Sequence, residues 1–436
     1  MRGAVAEAPS AKGVELLDRK KIDTCVQCGM CLTSCPTYRE LGVEMDSPRG
    51  RVFLMKSVKE GRLQADALFA KHMYLCLDCR ACETVCPTGV PFGSLVEAAR
   101  VVVEQNRHLP LMTRLVRDLA FRRLLPHPGR LPLLGTILRQ AQRLGLLAVA
   151  RLLALGRLRN WLMFVPDLSA PPFSIAEVTS IQPTGSRRGR VALFWGCVAP
   201  VLLPNVQRAT VQVLSGYGYE MVVPDGQTCC GALHLHNGLR EEASALARRN
   251  LAAFDKSGGI DAVIVNAAGC GAALKEYPEL LHGTAEEERA KRFRALVRDF
   301  AEFLAAVPGT PDAGRLKTTV TYQDPCHLAH GQRVRREPRQ LLKSITDLEF
   351  KEMRDADRCC GSAGIYNLLN PELSERFLKA KLDEASKTGA NIIVTANPGC
   401  QLQLQAGIRQ AGLATEVLHL AELLARAYGL DAGGKA

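Results

Sequence analysis

No G-x-G-x-x-G stands between a strand and a helix in this chain, and there is no P-loop, so the sequence carries no fingerprint for binding a dinucleotide or a nucleoside triphosphate. Any hydride chemistry linked to it therefore belongs to a partner. Aromatic residues are scarce, at 5%, with two Trp and eight Tyr. With so little to stack on bases, nucleic acid is not expected as a partner despite a net charge of +12. The chain opens Met-Arg-Gly-Ala without an apolar h-region and a small-residue cleavage site, which leads us to expect a cytoplasmic protein with reduced thiols. What it does have is length and apolar content: 436 residues, 47% hydrophobic, enough for two or three ordinary domains.

Cysteine is abundant, with sixteen in all. Eight fall in two runs, Cys25-Val-Gln-Cys28-Gly-Met-Cys31-Leu-Thr-Ser-Cys35-Pro36 and Cys76-Leu-Asp-Cys79-Arg-Ala-Cys82-Glu-Thr-Val-Cys86-Pro87. Both read C-x2-C-x2-C-x3-C-P, the ligand spacing of bacterial-type ferredoxins, in which the fourth cysteine of each run serves the other cluster. The expected ligand sets for two [4Fe-4S] clusters are Cys25, Cys28, Cys31 and Cys86, and Cys76, Cys79, Cys82 and Cys35. Structural zinc is held by four ligands in two pairs, which two four-cysteine runs ending in Cys-Pro fit poorly.

Residues 1 to about 20 read as a solvated lead-in. Between the runs, Ser47-Pro48 is a helix start and Gly61 a stop, with Val52, Met55 and Val58 on one face; a second helix is expected over Gln64 to Tyr74. Arg49 and Arg51 sit near the cysteines and would favour a more negative, reduced cluster, unless they are simply solvated on the first turn. From Arg107 to Arg159 there are eleven arginines against one acid, Asp118, interleaved with leucines and interrupted by Pro126, Pro128 and Pro132. No charge-free window of eighteen residues occurs there, so a membrane span is not expected. Short basic amphipathic helices are, either lying on an anionic membrane, docking a partner, or packing on the protein's own domains. A polar loop follows, from Pro166 to Gly189.

The remaining eight cysteines form an internal repeat. Cys197, Cys229-Cys230-Gly231 and Cys270 recur as Cys326, Cys359-Cys360-Gly361 and Cys400, at offsets of 129, 130, 130 and 130 residues. Such a duplication fixes the architecture. Apolar runs at 191–195, 219–223 and 262–265, then at 319–322, 348–350 and 392–395, alternate with helical segments such as 240–254, which predicts a small parallel sheet in each copy. Ligands gather at the carboxyl ends of strands in such sheets, and each cysteine follows a strand, so all eight are candidate cluster ligands.

These Cys-Cys-Gly copies resemble the cysteine-rich domains of the heterodisulfide reductase type. Together with the paired ferredoxin runs, Cys35-Pro-Thr-Tyr38, Asp46-Ser-Pro-Arg-Gly-Arg51 and Cys86-Pro-Thr-Gly-Val90, nearly the whole chain resembles the iron–sulfur subunits of glycolate oxidase. The resemblance implies an α/β protein with an α-helical ferredoxin domain at 1–106, a basic helical linker at 107–189, and two α/β repeats at 190–310 and 311–436. It also implies a subunit that takes electrons from an FAD-bearing partner oxidising glycolate and passes them towards the quinone pool at a membrane surface. The alternatives are a subunit reducing a disulfide or quinone itself, or one serving lactate or glycerol 3-phosphate. The full family pattern ends in C-x2-C, but the first position of that pair is Ala267 in one copy and Asn397 in the other. One or two further clusters are therefore expected without a fixed type, and Asn397 is a candidate non-cysteine ligand. His234, His236, His327 and His330 lie close to these cysteines; structural histidines are expected, with sulfur hydrogen bonding or proton relay as the alternative.

Overall fold

The computed structural model describes residues 11–154, 162, 165–168, 170–179, 181–308 and 314–430. The 155–159 end of the arginine-rich stretch and the 310/311 boundary thus lie outside the described residues.

The N-terminal part is helical. Helix Pro48–Lys59 begins where Ser47 Oγ accepts from the Gly50 amide, and its Val52, Met55 and Val58 are buried. Its partner spans Ala67–Leu75. It starts later than the expected Gln64 because the Asp66 carboxylate caps the Leu68 and Phe69 amides. Helix Phe92–Asn106 supplies Leu95, Val96, Ala99, Val102 and Val103 to the same core. The lead-in is not wholly solvated: Leu17 is fully buried in this core, just before a short helix, Arg19–Asp23, capped by Asp18.

The basic linker forms helices Leu111–Asp118, Leu131–Arg143 and Leu146–Leu153, with a π-helical turn at Leu119–Leu124. No helix among the described residues is long and apolar enough to cross a membrane. The segment expected as a polar loop is partly core, since Phe173 and Val178 are buried and Phe173 stacks on Trp195.

Each repeat is a four-stranded, all-parallel sheet. In the first, β1 (Gly189–Leu193), β2 (Tyr219–Val222), β3 (Ala262–Val265) and β4 (Val297–Asp299) lie in the order β2-β1-β3-β4. In the second, β5 (Arg315–Tyr322), β6 (Thr346–Phe350), β7 (Ile392–Thr395) and β8 (Glu416–His419) repeat that order as β6-β5-β7-β8. The central β3 and β7 are buried along their length, as strands covered on both faces must be.

The copies are joined reciprocally. Helix Phe300–Ala306 of the first packs on Arg336–Lys343 of the second, and Leu420–Ala427 of the second packs on Pro204–Gly216 of the first. One apolar core, including Leu193, Leu214, Tyr322 and Leu424, runs through both. At its edge the Tyr217 and Tyr428 hydroxyls meet at 3.1 Å.

Candidate iron–sulfur sites

The two ferredoxin-type loops share a backbone shape. Gln27 and Asp78, the same position in each C-x2-C, have φ of 59° and 52°, and Gly29 is matched by Arg80 at 61°. Left-handed turns of this kind point amides inward, and the Asp78 amide donates to Cys76 Sγ at 3.3 Å. Crossing of the fourth cysteines is visible in the cavities. Cys25, Cys28, Cys31 and Cys86 line one, which Cys82 also borders, and Cys35, Cys76, Cys79 and Cys82 line its neighbour. Cys82, Pro48 and Phe92 wall both, so the cavities are adjacent.

Electrostatics differ between the two. Burial pushes the Cys76, Cys79 and Cys82 thiols up. Burial opposes ionisation of Cys86 too, but hydrogen bonds from Thr88 Oγ1 and the amides of Val90, Thr88 and Gly89 together outweigh it and hold its pKa down. Arg49, half-exposed, binds Glu44 at 2.7 Å and reaches the Gln27 carbonyl at the rim of the first cavity. Arg51 is not a solvated first-turn arginine. It is fully buried, bonded to the Thr37 hydroxyl and to the carbonyls of Asp46 and His72, while Thr37 Oγ1 lies 3.2 Å from Cys35 Sγ.

In each repeat the four thiols converge beyond the strand ends. Cys230 and Cys270 sulfurs are 3.2 Å apart, and Cys197, Cys229 and Cys230 are linked in turn. Hydrogen bonds from Cys197 and Cys230 hold Cys229 well below the ordinary thiol range. The second copy links Cys326, Cys359, Cys360 and Cys400 in the same way, with Cys360 lowered by Cys359 and Cys400. Glycine closes both Cys-Cys-Gly turns in the left-handed region, at φ 88° for Gly231 and 89° for Gly361. Asn397 Nδ2 lies 3.3 Å from Cys400 Sγ, and its Oδ1 accepts from the Gly269 amide of the other copy at 3.4 Å.

The repeats are covered differently. The second site faces the N-terminal domain: Leu77, Cys79 and Ala81 pack with Cys359, Tyr366 and Phe377, with Cys326 at the edge. Burial and then the nearby Cys326 thiol raise Cys79, so two of the predicted sites nearly touch. The first site is instead covered by the linker. Leu125 and Leu131 pack on its core, Thr228 Oγ1 donates to the Pro126 carbonyl, and His234 Nε2 meets the Phe121 carbonyl at 2.8 Å.

The four histidines have separate settings. Burial lowers His234, and neighbouring Cys229 with the Phe121 carbonyl more than offsets it, leaving the pKa raised. His330 is a structural histidine, held by Thr84, Arg335 and the Asp357 carbonyl, and burial lowers its pKa. His236 and His327 meet edge-on at 5.1 Å where the N-terminal domain and both repeats join. There His236 pairs with Asp78 and Glu97, His327 meets the Asp78 carbonyl at 2.8 Å, and Arg80 pairs with Glu276. Sequence reasoning missed Asp78, Arg80, Glu97 and Glu276. Their one local signal was the presence of Asp78 and Arg80 between ligand candidates.

The residues fit iron–sulfur groups. All sixteen thiols are free, they are gathered in four sets, and amides or side chains approach Cys25, Cys76, Cys86 and Cys230 at 3.3–3.5 Å, the hydrogen bonding that stabilises cluster sulfur.

The fold and sites define a two-cluster ferredoxin domain joined to a duplicated cysteine-rich domain. Family models agree: a 4Fe-4S dicluster domain matches residues 21–90, a cysteine-rich domain matches 191–275 and 320–405, and a glycolate oxidase iron-sulfur subunit linker region matches 112–162. The chain is 42% identical to the probable glycolate oxidase iron-sulfur subunit of Bacillus subtilis (strain 168), over 95% of this chain and 96% of that one. It is 33% identical to the glycolate oxidase iron-sulfur subunit of Escherichia coli (strain K12), over 92% and 93%. Similarity extends, at 30% over 95% and 74%, to one subunit of the fumarate reductase (CoM/CoB) of Methanothermobacter marburgensis. The chain belongs to the glycolate oxidase iron–sulfur subunit family.

Proposed function

We propose that this chain is the electron-carrying subunit of a flavin-dependent glycolate dehydrogenase, taking electrons from an FAD-bearing subunit and delivering them towards the quinone pool from the cytoplasmic side of the membrane. In this reading Cys25, Cys28, Cys31 and Cys86 hold one [4Fe-4S] cluster and Cys76, Cys79, Cys82 and Cys35 the other. Cys197, Cys229, Cys230 and Cys270, and Cys326, Cys359, Cys360 and Cys400, hold further iron–sulfur groups. Bound there, such groups supply one-electron carriers whose potentials follow charge, hydrogen bonding and burial. The domains run 1–106, 107–189, 190–310 and 311–436.

The observation that carries the reading is the adjacency of three thiol sets: two cavities sharing Cys82, and Cys79 of the second lying against Cys326 and Cys359. The protein's own work is to hold these sets next to one another, the second ferredoxin set buried and the first closer to solvent. Oxidation of glycolate itself belongs to the partner, because neither repeat carries a nucleotide fingerprint. Anaerobically purified protein should contain iron and sulfide and fail to oxidise glycolate with a dye acceptor, gaining turnover only with the flavoprotein added. Turnover by this chain alone would sink the assignment.

A further inference from the structure

The linker shows an unusual surface. Thirteen of the 23 exposed large apolar side chains among the described residues lie between 111 and 153, whereas the two repeats contribute only Leu369 and Leu413. The concentration marks a surface with a use, since single exposed apolar residues are ordinary and grouped ones are not.

The exposed residues follow helical faces. On Leu111–Asp118 they are Leu111, Met112, Leu115 and Val116; on Leu131–Arg143 they are Leu133, Leu134 and Ile137. Leu146, Val149, Leu152 and Leu153 line the third helix, with Leu152 at 84% exposure. At 100° per residue each set falls within one sector. The opposite faces are held by the protein: Arg117 of the first helix pairs with Glu104, Gly135 of the second is buried against Val201, and Leu147 of the third is buried. Three consecutive helices therefore turn their leucines outward while anchored from behind.

Charge says what covers them. Arg114, Arg123, Arg130 and Arg143 are exposed and form no ion pair among the described residues, and no Lys or Glu occurs from 107 to 154. Protein interfaces draw their energy from aromatic anchors, with leucine under-represented, and none of the exposed large apolar residues in this segment is aromatic. Leucine faces flanked by unpaired arginines match the chemistry of a helix lying in an anionic headgroup layer.

We propose that the helices at 111–118, 131–143 and 146–153 form a peripheral docking surface for an anionic lipid bilayer, with the leucines entering the acyl boundary and the arginines binding lipid phosphates. The proposal rests on the reading of a membrane-directed electron carrier, and it places the linker beside the first repeat, whose thiol site the same segment covers.

The test is co-sedimentation of the intact, cluster-containing chain with vesicles. Binding is expected to vesicles of phosphatidylcholine with phosphatidylglycerol, to be several-fold weaker to phosphatidylcholine alone, and to fall as salt is raised. Leu115→Glu with Leu152→Glu, both at exposed positions, should reduce binding about tenfold or more with the visible iron–sulfur absorbance unchanged. Arg114→Glu with Arg143→Glu should abolish the preference for anionic lipid. Equal sedimentation of wild type and leucine variant overturns the proposal. So does loss of flavoprotein co-purification in that variant without any vesicle binding by wild type, which would make the face a protein interface. Dye-linked glycolate turnover with the flavoprotein, measured without lipid, tests the functional reading separately.

Discussion

His236 Nδ1 lies 3.0 Å from Asp78 Oδ2 and 3.1 Å from Glu97 Oε1, tying the first repeat to the second cysteine loop of the N-terminal domain. Burial lowers the pKa of this histidine, but the two carboxylates outweigh it and push it up to about 9. The ring also meets that of His327, whose pKa burial and then Arg80 lower to about 3, and Arg100 donates to the His236 backbone carbonyl.

The sign follows from the direction of the shift. A folded pKa raised from 6.5 to about 9 means the imidazolium pair contributes fully below pH 6.5, and the contribution is lost as pH rises through about 9. Its size is on the order of 3 kcal/mol. The apparent unfolding midpoint at a fixed heating rate should therefore fall between pH 7 and 9.5, and His236→Gln should start lower and flatten that fall. A variant with an unchanged pH profile would show that the junction does not couple the domains.

Arg51 should be among the least replaceable charges in the N-terminal domain. Its guanidinium has no exposure and faces the Asp46 carboxylate at 3.4 Å. Removing one member of a buried pair costs about 3–5 kcal/mol because the other charge stays uncompensated. Arg51→Met should lower iron content at the second ferredoxin site, since Thr37 links this arginine to Cys35. Arg51→Lys should rescue only part, lacking the fork that bonds several oxygens at once. Iron per chain and midpoint temperature together check it.

How much of this was legible in the sequence depends on distance along the chain. The ferredoxin runs and the 130-residue duplication are local or periodic signals, and six strands could be read from short apolar runs. β4 and β8 could not: Val297-Arg-Asp299 is three residues with one apolar side chain, and Glu416–His419 is four, too short for any period to show. Both strands lead directly into helices capped by Asp299 and His419. The Asp78–Glu97–His236 junction was illegible for another reason, because nothing local in the sequence announces a pair 158 residues apart. Whether Arg51 faces solvent or the cysteines is not decided by the sequence, because a first-turn arginine shows its burial only once the Ala67–Leu75 helix is laid over it.

The two Cys-Cys-Gly turns should tolerate substitution unequally. Both glycines are left-handed, so alanine at either costs about 1–2 kcal/mol in backbone strain. A methyl at Gly231 meets Ala243 at 3.4 Å, an ordinary contact, whereas at Gly361 it meets the Ser374 carbonyl at 2.6 Å. That carbonyl belongs to helix Pro371–Lys387 and cannot swing away as a side chain would. Gly361→Ala should therefore lower soluble yield and iron content markedly, and Gly231→Ala modestly. Equal losses would mean that turn strain alone governs both sites.

A last asymmetry concerns charge beside the repeated thiols. Lys381 is 2% exposed and donates to the carbonyls of Asp355 and Ala356, just before Cys359 and Cys360; the matching helix of the first repeat, on which Ala243 faces Gly231 as Ser374 faces Gly361, carries the neutral Asn250 at that place. Burial lowers the lysine pKa, and the Cys360 and Cys359 thiols work against that by favouring its charged form. A cation held in a dry site favours whichever state of its neighbour is more negative. The second repeat, which also faces the N-terminal cysteines, should accept an electron at a higher potential than the first. Lys381→Met, close in volume and uncharged, should shift the midpoint of the iron–sulfur signal in that repeat downward by roughly tens of millivolts, leaving the ferredoxin signals in place. Potentiometric titration followed by electron paramagnetic resonance reads the shift, and an unmoved midpoint in Lys381→Met would assign the lysine to packing alone.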